Sequence, residues 1–380
     1  MKITQVYDIV NTATQQVLGE SAIVNEDLTN VVSIGEQIAN ANLYDKFVGA
    51  LLNRIAKSIF SMRAYTGRAP SVLMDAWEFG SIVQKVRMKL PDAEENESWE
   101  LVDGATYEEN QFYKPSVSVK LWNHKTTFEI PISIAEEQLK QSFLNATEMA
   151  KFVAMLFQGV ENSMTLKFDA LIMRTINHFI GAVVDGGTDG VNRIKLLTEY
   201  NTIYGASLTA DKALYNKDFL RYTAFRMKQV ATRLSVYSTL FNLDGVETHT
   251  PRDMLKIVLH ETLDAGVSAF LQSDTFHEEL VKLPQADVVP YWQGSGTSFA
   301  LTDTSKINVS IKDKDGDDAD VVQDYIVGVM FDRDALGVTG YNRRTPSKYV
   351  AKAEFYNYWY KEDAGYFNDF GSNFVVFLVA

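Results

Sequence analysis

The amino-acid sequence predicts an α+β fold, and four segments carry that prediction. A proline-free run from Ser133 to Val184 places apolar residues three and four positions apart, which is the spacing of a long amphipathic helix. Residues 84–90 and 116–130 alternate apolar and polar side chains, as strands with one packed face do. The chain ends in the apolar run 374–380, which a fold has to bury inside a sheet.

The composition limits the class of protein. The chain has 380 residues, more than a single hydrophobic core organises, so we expect two or more subdomains. It has no cysteine, which excludes disulfides, thiolate nucleophiles and cysteine-ligated metal sites. The net charge of -13 argues against tight sequence-independent binding of nucleic acid, because that binding depends on clustered lysine and arginine. The 22 Phe, 18 Tyr and 5 Trp indicate extensive self-association, since large aromatics concentrate in cores and interfaces.

The sequence also gives expectations about compartment. No run approaches the ~18 apolar residues that a membrane span needs. The first residues lack the charged and then apolar build of a signal peptide. We therefore expect a protein that is made and used in a cytoplasm, with no membrane partner.

The N-terminal part is predicted to be an arm followed by a helix. Residues 1–42 are rich in Asn, Thr, Gln and Val and are interpreted as a non-helical arm that orders against something else. Leu43 to Met62 has apolar residues at steps of four and is predicted to be an amphipathic helix. Residues 43–75 are assigned to this helical region.

Residues 76–131 are predicted to form a projecting β-hairpin. In the first strand Val86 and Met88 lie on one face and Lys85 and Arg87 on the other, and we expect one of these faces to meet solvent. The segment between the strands, residues 91–110, contains eight carboxylates and no Lys or Arg. One interpretation is a solvated acidic loop. The apolar residues inside the segment favour a loop with a partner.

The long helix is predicted from its capping residues as well as its spacing. Ser133 with Glu136 predicts a short helix that ends near Phe143, and Asn145 with Glu148 predicts a second helix that begins near residue 146. The second helix would be roughly 50–55 Å long. It is either a long core helix or a beam that joins two subdomains and lies on a sheet.

The remaining segments divide into an α/β block and a β-rich end. The predicted elements of the block are a helix at 218–240, a strand at 254–259, a mostly helical stretch at 262–282 and a short strand within 285–296. The predicted strands of the end are 325–331, 348–361 and 374–380. The last of these is expected to close the sheet beneath the long helix.

A search for catalytic chemistry finds no candidate. The five histidines are scattered, and no metalloprotease pair, catalytic triad or phosphate-binding loop is present. Residues 313–320 resemble a cation-binding loop through Asp313, Asp315 and Asp317. However, Asp318 occupies the position where an EF-hand needs glycine. An acidic turn between two strands is the favoured interpretation, and no catalytic, cofactor-binding or metal residue is assigned.

The order of these elements resembles that of the major capsid proteins of tailed bacteriophages, which have the Hong Kong 97 fold. The resemblance is strongest in SDTFHEELVKLPQADVVPYWQGSG, residues 273–296, and in residues 325–380. It implies that 1–42 is the N-terminal arm and 76–131 the extended loop. It also implies that 132–199 is the peripheral domain with its spine helix, 200–322 the axial domain and 323–380 the closing strands of the peripheral domain.

The same resemblance implies a function and partners. The chain would self-assemble as pentamers and hexamers into an icosahedral shell, part of a virion put together in the bacterial cytoplasm and enclosing double-stranded DNA without binding it specifically. Its other partners would be a portal and a separate scaffolding protein, because only about 40 non-helical residues precede the first predicted helix; a decoration protein is left open. No cofactor is implied. Two alternatives stay open: the shell protein of an encapsulin-like nanocompartment, and an acidic calcium-dependent hydrolase.

The predicted contact between subunits joins the acidic hairpin tip to a basic surface of a neighbour. Its acidic and aromatic candidates are Glu94, Glu95, Glu97, Trp99, Leu101 and Tyr107. Its basic candidates are Arg54, Lys57, Arg63, Arg343, Arg344, Lys348 and Lys352. Charge pairs there would mainly set orientation and assembly rate, and the aromatic residues would supply most of the buried area. Reversing both Arg343 and Arg344 to Glu is predicted to block assembly while leaving the subunit folded.

Overall fold

The chain divides into two compact units. The computed structural model describes residues 3–19, 22–25, 30–40, 43, 46–47, 50, 68–74, 83–91, 93, 102–104, 110, 112–135, 146–270, 286–294, 297–312 and 318–380. The first unit comprises residues 1–79, 125–176 and 337–365, and the second comprises residues 80–124, 177–336 and 366–380. The division into six segments stays a prediction.

The helices and strands of the described residues are numbered in chain order. The helices are α1 (Ile3–Leu18), α2 (Val31–Asn40), α3 (Ala146–Gly186), α4 (Leu196–Tyr204), α5 (Ala210–Ala213), α6 (Lys217–Leu234), α7 (Glu261–Phe270) and α8 (Leu301–Thr304). The strands are β1 (Val83–Met88), β2 (Val117–Trp122), β3 (Lys125–Ala135), β4 (Arg193–Lys195), β5 (Leu255–His260), β6 (Asp287–Val289), β7 (Ile307–Lys312), β8 (Asp318–Gln323), β9 (Ile326–Asp332), β10 (Leu336–Arg344), β11 (Ser347–Val350), β12 (Phe355–Asn368) and β13 (Phe374–Leu378). No helix in these ranges is long and apolar enough to cross a membrane.

The long helix begins at Ala146, as predicted, and continues to Gly186. At 1.5 Å per residue its 41 residues are about 60 Å long. It contributes residues to both units: Phe168 and Ile172 are buried in the first, and Phe179 is buried in the second. This matches the prediction of a helix that is shared between two subdomains.

The sheet of the first unit is organised around β12. This strand pairs antiparallel with β3 along eleven residues and with β11 along four, and β10 is a further neighbour. Apolar side chains of α3 pack against the sheet. For example, the ring centres of Phe168 on α3 and Phe128 on β3 lie 5.6 Å apart in a T-shaped arrangement. The amphipathic spacing of α3 is thus used for packing.

The sheet of the second unit has the order β4-β13-β9-β5-β6. Strand β13 pairs parallel with β4 and antiparallel with β9, so the C-terminal run is buried between two strands, as its composition predicted. Phe179 stacks on Phe374 with 4.1 Å between ring centres, so this end of α3 packs on that sheet. The predicted strands at 254–259, 285–296 and 325–331 are confirmed as β5, β6 and β9. Helix α6 is confirmed as well, although it ends at Leu234 rather than Leu240.

The prediction that residues 1–42 are non-helical is wrong, because they include α1 and α2. Asn, Thr and β-branched residues have low intrinsic helix propensity, but burial of one face outweighs that preference. Val10 and Ala13 are buried on α1, and the Thr14 hydroxyl donates to the Val10 carbonyl one turn earlier at 2.8 Å. A separate scaffolding protein was predicted because the N-terminal residues were expected to be non-helical. The two helices remove that reason for the prediction.

Two other element predictions are wrong in detail. Ser133 does not cap a helix: it lies in β3, and its hydroxyl donates to the side-chain oxygen of Asn357 at 2.6 Å. The predicted strand 348–361 is two strands, because the chain turns at residues 351–354, where Glu354 has a φ of 48°. The turn brings Tyr349 opposite Tyr356.

The predicted second hairpin arm, 116–130, is also divided. Only β2 pairs with β1, whereas β3 pairs with β12 in the other unit. The helix predicted after Leu43, the helix predicted at 136–143, residues 271–285 and the acidic turn 313–317 lie wholly or mainly outside the described residues. The strands that flank that turn, β7 and β8, form an antiparallel pair.

Candidate inter-subunit surface

The β1–β2 hairpin has two chemically different faces. Residues directly opposite each other in an antiparallel pair share a face. Lys85 lies opposite Lys120, and Val86 lies opposite Val119. The register therefore gathers the cations on one face of the ribbon and the valines on the other.

The charged face packs onto a single buried carboxylate, that of Asp369. Lys85 Nζ donates to Asp369 Oδ2 at 2.9 Å, Arg87 Nη2 donates to the same oxygen at 2.6 Å, and Lys120 Nζ lies 3.3 Å from Oδ1. The Asp369 side chain is fully buried. Burial alone would raise the pKa of Asp369, but Lys85, Arg87 and Lys120 outweigh it and lower that pKa. The carboxylate is thus held in its charged form as the anchor of the hairpin.

The apolar face of the hairpin is exposed. Its members are Val86, Met88, Val117, Val119 and Leu121, whose exposed fractions lie between 51% and 64%. The cationic face of the hairpin therefore packs against the rest of the unit, because the buried Asp369 carboxylate binds its lysine and arginine side chains. An exposed apolar surface of this kind is typical of a protein–protein contact site.

Gly371 allows the approach of Arg87. A Cβ atom at residue 371 would lie 2.3 Å from Arg87 Nη1 and 3.1 Å from Asp244 Oδ2. Residue 371 also donates its backbone N–H to Asp369 Oδ1 at 3.2 Å. The absence of a side chain therefore lets the guanidinium reach the buried carboxylate.

We predict that Gly371→Ala loosens the hairpin, because the added methyl group displaces the Arg87 guanidinium from Asp369. Loss of a hydrogen bond to a charged group costs about 1.5–3 kcal/mol, which corresponds to roughly tenfold or more in local opening. Hydrogen exchange of the β1 and β2 amides measures this opening. Gly159→Ala is the matched control, since no atom lies within 4 Å of its Cβ position. Equal exchange in the two variants would contradict the role of Gly371.

A cleft of about 660 Å³ lies beside the charged face. It is lined by hairpin residues, by residues between 237 and 254, and by Asp332, Asp334 and Ser372. Its charged side chains have both signs, with Lys89 and Glu247 among them. Within the described residues, no three carboxylate or imidazole groups converge as a metal site.

Burial lowers the pKa of His260, outside this cleft, to about 4, so that side chain is a neutral packed group near pH 7.

Two of the predicted basic candidates have partners within their own subunit. Arg343 Nε donates to Glu362 at 2.6 Å, and the Glu362 side chain is fully buried. Arg344 donates to both carboxylate oxygens of Asp363. The Arg344 hydrogen bond lowers the pKa of Asp363 to about 2 against the opposing effect of burial. Glu at 343 would face buried Glu362, so we now expect the double reversal to destabilise the subunit as well as its contacts.

Lys348 and Lys352 are exposed at the β11–β12 turn, where a neighbour can reach them. The remaining predicted contact residues lie outside the described part of the chain: Glu94, Glu95, Glu97, Trp99, Leu101, Tyr107, Arg54, Lys57 and Arg63. Their role in a contact between subunits stays a prediction.

The sequence did not indicate Asp369 as the centre of the site. Its side chain meets Lys85 and Arg87 across more than 280 positions of sequence, a contact that only the fold creates. A single aspartate in the turn before β13 has no local signature of this role. The alternation of β1 indicated two unlike faces but not which of them packs.

Comparison with known proteins gives a consistent result. A family model described as Phi29-like phage major capsid protein matches residues 8–378. No curated protein matches the chain. Among solved structures, a chain of the Staphylococcus phage Andhra capsid matches with a TM-score of 0.52 and 10% identity, covering 84% of this chain and 86% of that one. A chain from the structure of the head fiber and inner core protein of bacteriophage P68 matches with the same TM-score, identity and coverage. At this identity the structural matches establish the fold.

Proposed function

The chain belongs to the Phi29-like phage major capsid protein family, and from this membership we propose that it assembles as pentamers and hexamers into an icosahedral shell around double-stranded DNA. As a phage major capsid protein, it is a structural protein of the virion. Shells of this kind are built from identical copies through self-complementary or head-to-tail contacts. In this proposal the functional residues of the chain are those on the surfaces where subunits contact each other.

The observation that carries this proposal is the orientation of the β1–β2 hairpin. Its cations are turned inward onto Asp369, and its apolar side chains are left exposed. Water contact of five large apolar side chains is unfavourable by roughly 25 cal/mol per Å², so covering them by a neighbouring subunit favours assembly. In this proposal the hairpin is the extended loop of the family, and its apolar face lies against an adjacent copy.

Further partners belong to the same proposal. A portal and a scaffolding protein would take part in assembly in the bacterial cytoplasm, and a decoration protein is an additional candidate. The enclosed DNA would be held without specific contacts. A net charge of -13 fits this, because tight binding of the packaged duplex would need dense cationic patches. The spine helix, the axial domain and the peripheral domain are assigned as the sequence predicts.

Electron microscopy of the purified chain tests the proposal. We expect uniform closed shells, or pentameric and hexameric rings, once the protein concentration exceeds a threshold. Sedimentation velocity across that threshold is the quantitative readout, since cooperative assembly gives free subunits and complete particles with few intermediates. A chain that stays monomeric at all concentrations, even when it is produced together with the proposed scaffolding protein, would contradict the proposal. Native particles that carry an enclosed enzyme and no DNA would favour the nanocompartment instead.

A further inference from the structure

Helix α6 has an exposed face on which two cations flank an aromatic ring. Arg221, Phe225 and Lys228 are spaced four and three residues apart, so they lie on one side of the helix. All three are exposed, and Phe225 has 61% of its surface accessible. The opposite side of the helix is buried in the core of the second unit. We call Arg221, Phe225 and Lys228 the α6 basic face.

The charge of α6 is unusual for this chain. The helix carries five cations and one carboxylate, although the whole chain has a net charge of -13. One of the five, Arg226, is bound within the subunit to Glu199 at 2.8 Å. Arg221 lies 3.6 Å from Asp218, but both side chains are more than half exposed, and such a pair is weak. The α6 basic face is therefore a positive surface on an acidic protein.

The sequence contains one segment of matching chemistry. Residues 91–110, here called the acidic segment, hold eight carboxylates, no Lys or Arg, and the apolar residues Trp99, Leu101 and Tyr107. Its described members Val102 and Asp103 are exposed. The segment joins β1 to β2, the strands whose apolar face is itself exposed. It combines negative charge with aromatic rings, as the α6 basic face combines positive charge with an aromatic ring.

We infer that the acidic segment of one subunit docks on the α6 basic face of a neighbouring subunit. This inference rests on the proposed self-assembly and names the surface that receives the loop. Arg343 and Arg344 are engaged by Glu362 and Asp363 of their own subunit, which leaves them poorly suited to the task. Phe225 at the centre of the face favours a protein partner with apolar groups over DNA. The phosphate backbone of a duplex offers an exposed phenylalanine no apolar surface to pack against.

The contact has the properties of an electrostatically guided interface. Opposite charges accelerate encounter and set orientation, while like charges that are brought together cost several kcal/mol. Because Arg221 and Lys228 are exposed, salt screens their charges over a distance of about 8–10 Å. Assembly is therefore expected to slow as ionic strength rises, and reversal of charge on either partner is expected to block it.

A mixing experiment with two charge-reversed chains tests the inference. The first chain carries Glu94→Lys, Glu95→Lys, Glu97→Lys, Glu100→Lys and Glu108→Lys, which leaves the acidic segment with five lysines and three carboxylates. The second carries Arg221→Glu and Lys228→Glu. Each alone brings like charges together at the contact, so we expect its yield of particles to fall at least tenfold. Mixing pairs a reversed segment with a reversed helix wherever unlike chains are neighbours, so we expect most of the lost yield to return. Recovery is expected to be incomplete, because two chains cannot alternate fully around a ring of five subunits.

Mixing also separates contacts between subunits from contacts within one subunit. An intramolecular contact between the segment and α6 would be broken in both chains, and mixing could not restore it. The matched control is Arg252→Glu with Lys306→Glu, which makes the same charge change on exposed cations of the same unit and is expected to assemble normally. Circular dichroism of each chain verifies folding, and Arg221→Gln with Lys228→Gln gives a milder variant whose assembly depends less on salt.

The possible outcomes are distinct. If the original chain forms no particles even with the proposed scaffolding protein present, the proposed function fails. If it forms particles and the α6-reversed chain does so equally well, the inference fails while the function stands. A reversed chain that assembles normally but encloses less DNA would assign the α6 basic face to the genome and overturn the inference. Rescue of the segment-reversed chain by Lys348→Glu with Lys352→Glu, and not by the α6 variant, would assign the contact to the β11–β12 turn.

Discussion

Replacing Arg343 with methionine is expected to lower the free energy of unfolding by about 3–5 kcal/mol. The reason is the burial of Glu362, whose side chain has no exposed surface and accepts from Arg343 Nε at 2.6 Å. Removal of the guanidinium leaves that carboxylate buried without this cation. Urea unfolding of the unassembled subunit, followed by circular dichroism, measures the loss.

Two companion variants show whether the buried charge is the cause. Arg344→Met removes a guanidinium whose side chain is 40% exposed. Its partner Asp363 also accepts from Thr127 and Asn342, so a smaller loss than that of Arg343→Met is expected. The double variant Arg343→Met with Glu362→Gln removes the charge as well as its partner, and it is expected to recover much of the lost stability. An Arg343→Met chain with the same urea midpoint as the original would show that Glu362 does not depend on this pair.

The sequence predicted those elements that local pattern determines. The α3 spacing predicted a helix that begins near residue 146, and the apolar runs predicted buried strands at β9 and β13. These signals arise within one element, because the period of burial is set by the geometry of a helix or strand. The terminal run of β13 has so few polar residues that only a position between two strands can bury it.

The sequence failed where a distant contact or a turn decided the outcome. The alternation of β1 predicted a ribbon with two faces, but Asp369, far along the chain, determines that the cationic face packs. The turn at residues 351–354 has no Gly, Pro, Asn or Asp, and its backbone reversal is made by Glu354 in a left-handed conformation that few side chains favour. The α1 helix was missed because burial of Val10 and Ala13 outweighs a composition of low helix propensity.

Replacing Val119 with aspartate is expected to abolish shell assembly without unfolding the subunit. Val119 is 51% exposed in the free chain, so a carboxylate at this position remains hydrated and costs little. In the proposed contact the same carboxylate would be buried against a neighbour, at a cost of several kcal/mol per copy. A penalty of about 3 kcal/mol raises the concentration needed for assembly by more than a hundredfold. Sedimentation velocity and electron microscopy measure that threshold, and circular dichroism checks the fold.

Val322→Asp is the matched control, because it places the same charge on a valine that is 56% exposed on β8, outside the hairpin. Normal assembly of the control with failure of Val119→Asp would assign the effect to the hairpin face.

A variant of the neighbouring residue, Lys120, distinguishes loss of docking from loss of hairpin anchoring. Lys120 lies on the other face of β2 and contacts Asp369 and Asp244. Lys120→Met is therefore expected to raise hydrogen exchange in β1 and β2, whereas Val119→Asp leaves exchange unchanged and blocks only the contact. If both variants raised exchange equally, loss of assembly would report a loosened hairpin, and the apolar face would have no docking role of its own.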